Sequence, residues 1–157
     1  MSNEAEISNL YHIKRVNHIL LNLAMILMER AQKHDSSKLR EPEKTGFEAA
    51  TMKLKNFEYG SPEYTKSLEE LKPTLEHHYR INSHHPEHYE RGIDDMDLMD
   101  IVEMYADWQA AGERQKGGNI FKSINHNKDR FKMTDQLAQI LKNTAERFPQ
   151  YADEDQK

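Results

Sequence analysis

Cysteine is absent from all 157 residues. Disulfides, thiolate metal centres and cysteine nucleophiles are therefore excluded together, and any metal would have to be held by nitrogen and oxygen. Glycine and proline are scarce, at six and five, and β-branched runs are few. With 31% charged residues, that is the profile of an all-α protein with solvated helix faces. A long apolar run is missing as well. Ile19 to Met28, broken by Asn22, is the longest, well short of the ~20 residues of a membrane span. No charged-then-apolar signal segment opens the chain, so the expected location is cytoplasmic, with no membrane partner. Basic excess is also lacking: 22 Lys and Arg against 27 Asp and Glu leave a net charge of −5. A general nucleic-acid binder would show a basic face instead. Only Lys14-Arg15 and Lys122 to Lys132 are locally basic, enough to receive a small anion.

What is present reads as helix. The length suits one domain with its own core, here residues 1–150, followed by a frayed acidic tail over 151–157. From Ile7 to Gln32 nothing breaks a helix, and its second half is apolar on every side, as in a helix buried at the centre of a bundle. His12, Arg15, His18 and Asn22 are the polar residues on it that need a reason. A second helix is expected from Glu41-Pro42-Glu43 to Asn56. After a turn at Tyr59-Gly60, Ser61-Pro62 marks the start of a third, which Pro73 should kink or split and His85-Pro86 should end. Met96 to Gln115 is a fourth, stopped by Gly117-Gly118. Asn119 to Lys132 is helical in part. Thr134 caps a last amphipathic helix with Leu137, Ile140, Leu141 and Ala145 on one face.

Chemistry concentrates in three places. The sequence His34-Asp35-Ser36-Ser37-Lys38 sets an imidazole, a carboxylate and an ammonium within five positions, just after the apolar run. Imidazole nitrogen and carboxylate oxygen are ligands for Mn, Fe, Co or Zn, and a lysine beside them is a point charge suited to phosphate. Five of the nine histidines lie between His77 and His88, before a helix-ending proline, placed like ligands or proton-transfer groups at a pocket rim. On the fourth helix Asp100, Glu103 and Asp107 form one acidic stripe, with Asp107 set among apolar neighbours.

In order along the chain, His12-Ile-Lys-Arg-Val16, His34-Asp35-Ser-Ser-Lys38 and Ala106-Asp107-Trp108 resemble the H…HD…D framework of the HD-domain superfamily of metal-dependent phosphohydrolases. Asn82 to Tyr89 and Asp100 to Trp108 are also similar to a small branch of that superfamily found in phage and bacterial genomes. The resemblance implies an all-α helical bundle of the HD type and a divalent metal held by His12, His34, Asp35 and Asp107. It also implies hydrolysis of nucleotide phosphate esters. One ion is expected, and a second would have to draw on His78 with His84 or His85. In a straight helix His12 and His34 stand ~33 Å apart. Sharing one ion therefore requires the chain to fold back near Asn22 or Leu23. His18 is the alternate first ligand, with a turn at Met25-Ile26.

The expected function is hydrolysis of a small nucleotide or related phosphate ester by metal-activated water. Asp35 would ligate the ion and orient the water, Lys38, Arg15 and Arg130 would neutralise the phosphate, and His84 or His85 would protonate the leaving oxygen. The alternative is a non-catalytic HD-like protein that binds a nucleotide or a protein partner. The sequence leaves room for a homo-oligomer.

Overall fold

In the computed structural model, residues 2–54, 62–114 and 117–147 are described. Among them every regular element is helical: six α-helices and three short 3₁₀ turns, with no strand. The all-α expectation holds. The chain divides into two compact units, Met1–His78 and Tyr79–Lys157. The expected tail beyond residue 150, the turn at Tyr59-Gly60 and the cap at Ser61 lie outside the described residues.

The first unit begins with α1 (Ser2–Lys33), a single unbroken helix of 32 residues. Two expectations fail here. The chain does not fold back near Asn22 or at Met25-Ile26, because Leu, Ala, Met and Asn at these places continue a helix and no Gly or Pro interrupts it. Nor is the apolar half buried at a bundle centre. Leu23, Leu27 and Arg30 are half-buried, every other residue from Asn3 to Lys33 is exposed, and Leu21, Met25 and Met28 are 59–63% exposed.

At the end of α1, Asp35 takes a left-handed conformation (φ 52°, ψ 14°). This ends the helix and turns the chain into a 3₁₀ segment, Ser36–Leu39. Asp tolerates this region better than most residues, since its short side chain can bond locally. Helix α2 (Glu43–Leu54) follows, then α3 (Pro62–Ile81), whose last turn enters the second unit. Pro73 lies inside α3 and does not split it. Packing onto α2 outweighs the lost hydrogen bond. A Cβ at Gly46 would stand only 2.1 Å from Thr74 Oγ1, so the two helices meet there in close contact. One turn further on, His77 and His78 are tied to Glu43.

The second unit holds α4 (Leu98–Glu113), α5 (Ile120–Arg130) and α6 (Asp135–Arg147). Each start is marked by the residue that the backbone needs there. Asp97 caps α4 in a reciprocal capping box with Asp100, Asn119 accepts from Lys122 N–H, and Thr134 accepts from Leu137 N–H, as expected for Thr134. The core joins Met104, Trp108, Ile120, Ile124, Met133, Ala138, Leu141 and Ala145. Trp108 stacks parallel to Phe131, with centroids 6.1 Å apart. In α6 the buried face is Ala138, Leu141 and Ala145, with Leu137 partly covered, whereas Ile140 is 52% exposed. The expected stripe is rotated by about one residue, because at ~100° per residue Ile140 falls at its edge.

Candidate metal centre

In the first unit the left-handed turn at Asp35 brings its carboxylate back over the end of α1. One oxygen, Oδ2, lies 3.5 Å from His34 Nε2 and 2.5 Å from Lys38 Nζ. The other, Oδ1, lies 3.2 Å from His78 Nε2, on α3. The expected group of His34, Asp35 and Lys38 is therefore assembled. Lys38 lies against Asp35 and 5.4 Å over the Phe47 ring.

The residue that organises this group is Glu43, which is fully buried. Its carboxylate accepts from Ser37 Oγ at 2.8 Å, His77 Nδ1 at 2.9 Å and His78 Nδ1 at 2.8 Å. Burial by itself would raise its pKa. The hydrogen bonds from Ser37, His77 and His78 prevail and hold the carboxyl below the usual carboxylate range. For His78, burial works to lower the pKa, and the bonds to Asp35 and Glu43 with the Asp35 charge prevail and raise it. Glu43 thereby fixes Nδ1 as the protonated nitrogen and aims Nε2 at Asp35. That is the carboxylate–histidine pairing that orients metal-ligating imidazoles.

The second unit repeats the pattern on a smaller scale. His84 is buried and its Nδ1 pairs with Glu103 Oε1 at 3.1 Å. The His85 ring lies 4.1 Å from that of His84 and 4.9 Å from that of Tyr79. Asp107, one turn beyond Glu103 on α4, is half-buried. Asp100 leaves the expected acidic stripe, being 2% exposed and spent on structure: it accepts from Ser83 Oγ, Tyr89 OH and Asp97 N–H. Burial, then the bond to Asp100, pushes the Tyr89 phenol up to about 12.

The remaining expected residues are placed otherwise. His12 and Arg15 are exposed on α1. Because α1 is continuous, His12 and His34 of one chain are separated by ~33 Å of helix, so the fold-back that would let them share an ion does not occur. His18 faces away from that side and meets Asn22 Nδ2 at 3.3 Å. Arg130 donates to Glu87 Oε1 at 2.6 Å and covers the Phe131 ring.

Asp35 with His34, Asp35 with His78, and His84 with His85 or Glu103 bring donor atoms within 4.8 Å of each other. These His and carboxylate groups could hold a metal ion. The donor chemistry fits one: imidazole Nε2 and carboxylate oxygen suit divalent first-row metals, and both buried histidines have Nδ1 engaged by a carboxylate. Among these residues, sequence reasoning missed Glu43 and Ser37. Their only signal is position, with Ser37 inside the His-Asp-x-x-Lys stretch and Glu43 just after the proline that opens α2.

Fold and site together define an all-helical protein with histidine–carboxylate clusters. The chain belongs to a family of unknown function, DUF5662, which matches residues 1–147. No curated protein and no solved structure matches it. Among the described residues no helix is long and apolar enough to cross a membrane.

Proposed function

We propose that the protein is a metal-dependent phosphohydrolase acting on a small nucleotide or related phosphate ester, with Mn, Fe, Co or Zn as its ion. The observation that carries this reading is the His78 imidazole. Buried Glu43 pins its Nδ1, and its Nε2 points at Asp35, which also neighbours His34. His34, Asp35 and His78 are the ligands from the first unit. A bound divalent ion supplies Lewis acidity, polarising a phosphoryl oxygen and lowering the pKa of water.

The chain's own groups do the rest. Glu43 holds the His78 tautomer. Lys38, next to Asp35, stabilises the charge that grows on phosphate. His84, whose Nδ1 pairs with Glu103, and His85 form a separate histidine group in the second unit.

The test is elemental analysis of protein purified without chelator, followed by phosphate release from a nucleotide panel. Glu43→Gln should weaken metal binding by about 10–100-fold at unchanged helical content, because an amide cannot accept from both imidazoles at once. A wild-type protein free of metal under every supply condition would sink the reading. Bound metal without turnover on any substrate would replace it with the non-catalytic binding protein.

A further inference from the structure

The basic stretch from Lys122 to Lys132 takes no part in the metal centre. Two of its cations are neutralised, Lys128 by Asp135 and Arg130 by Glu87. Lys122 is placed differently. Its Nζ donates to the backbone carbonyl of Gly117 at 2.5 Å, a contact that positions the ammonium without offsetting its charge. Lys122 borders an open cavity of about 520 Å³ in the second unit, walled by the end of α4, the turn Gly117-Gly118-Asn119 and one side of α5. That volume lies within the ~300–1,000 Å³ of small-molecule sites. Glycine shapes it. A Cβ at Gly112 would stand 3.3 Å from the Asn119 carbonyl carbon, so α4 and α5 come close there. Gly117, at φ 75°, makes the left-handed turn whose carbonyl receives Lys122.

A second observation, independent of the helix start, is Asn127. The buried residues of α5 are Ile120, Ile124 and Asn127, the spacing of an apolar face, so an amide stands where packing asks for a hydrocarbon. Asn127 is 8% exposed and borders the cavity. Its side chain bonds to none of the described residues, a costly and uncommon state for a buried amide. No carboxylate is among the described residues that line the cavity, whereas Lys122 and His126 are. The wall thus favours an anion at the end of α5 whose dipole does the same.

We propose that this cavity binds a small sugar phosphate, with its phosphate at the start of α5 beside Lys122 and its hydroxyls against Asn127. At ~1.5 Å per residue, Lys122 and Asn127 stand ~7.5 Å apart along the helix, too far for one phosphate and right for a phosphate ester with a polar body. Hydroxyls both donate and accept, so they satisfy both ends of the amide. The site shares no residue with the metal centre and does not rest on the reading given under Proposed function.

The experiment is an amide NMR titration of the full chain with ribose-5-phosphate, inorganic phosphate, ribose and AMP. The sugar phosphate should shift the backbone signals of Gly117, Gly118 and Asn119 together with the side-chain amide of Asn127. Inorganic phosphate should shift the turn alone, and ribose neither. Lys122→Met, at an exposed position, should weaken both phosphates about tenfold, and Asn127→Leu should weaken only the ester by as much. AMP separates the sources: tighter binding than the sugar phosphate assigns the ribose phosphate of a nucleotide, and weaker binding assigns a free sugar phosphate. Asp35→Asn, which removes a ligand of the metal centre, should bind as wild type. Loss of the shifts in Asp35→Asn would place the phosphate at the metal centre and overturn this site. Unshifted signals at 117–119 and Asn127 in the wild type, undiminished binding in Lys122→Met, or an equal response to ribose alone would overturn it as well.

Discussion

Asp35 carries two separable burdens: a charge near two imidazoles and a lysine, and a backbone at φ 52°. A residue with a plain Cβ pays about 1–2 kcal/mol to sit in the left-handed region, and Asn and Asp pay less. Asp35→Ala should therefore lower stability to urea by roughly 1 kcal/mol, while Asp35→Asn stays close to wild type. Both should lose most of the bound metal, since an amide is a poor ligand and alanine is none. Equal stability losses would mean that the carboxylate, and not the backbone, sustains this turn. Tyr89 offers a pH readout in the second unit. Its phenol is raised to about 12 against an ordinary 10, so at pH 10–12 the folded chain binds more protons than the unfolded one. Stability from this contact is complete below pH 10 and lost as pH rises through the folded value. A thermal melt series should show that loss in wild type and a flatter profile in Tyr89→Phe. Residues of this kind were only partly legible in the sequence. His34-Asp35-Ser36-Ser37-Lys38 announces itself because ligand types crowd together. Glu43 does not, because nothing local tells a buried acceptor from a solvated helix-start glutamate.

At the scale of elements, the contact between α2 and α3 gives a sharp test. Gly46→Ala in an open helix gains about 0.5–1 kcal/mol. Here the added Cβ would stand 2.1 Å from Thr74 Oγ1 and 2.8 Å from Thr74 Cγ2, so the expected result is a loss of about 1–3 kcal/mol from overpacking. Thr74→Ala removes both of those atoms, and the double variant should recover part of the loss in a denaturant cycle. Additive losses would show that the two helices part without meeting. The same contact explains why Pro73 leaves α3 whole: the turn after it is held from outside, by Gly46 and Glu43, where local propensity has no say. For α1 the legible part was its helicity and its apolar content. The illegible part was where that content goes, because a helix that is apolar all round carries one pattern whether its own chain or a second one covers it. The start of α6 was the best-read, since Thr134 caps through chemistry local to the sequence, whereas Asn119, which caps α5, stands in the expectation only as the first residue of a partly helical stretch.

For the whole molecule, the charge balance bears on the substrate. The chain is acidic overall, with a net charge of −5, whereas binding of a polymer would reward a continuous cationic track that makes one phosphate contact after another. Two of the expected anion contacts are already engaged, Lys38 with Asp35 and Arg130 with Glu87, and Arg15 stands exposed on α1. So few cations suit a single mono- or diphosphate head group. The Lys38–Asp35 contact separates phosphate chemistry from metal binding. Lys38 and a metal ion compete for the same carboxylate, so Lys38→Met should hold metal at least as tightly as wild type. Turnover should fall about 10²-fold, because the charge that the lysine would place on phosphate is gone. Nucleoside mono-, di- and triphosphates, tried with Mn, Co, Fe and Zn beside single-stranded DNA and RNA, form the assay. Cleavage of the polymers alone would overturn the small-substrate reading. Loss of metal in Lys38→Met would show that the lysine props up the centre and does not act on the substrate.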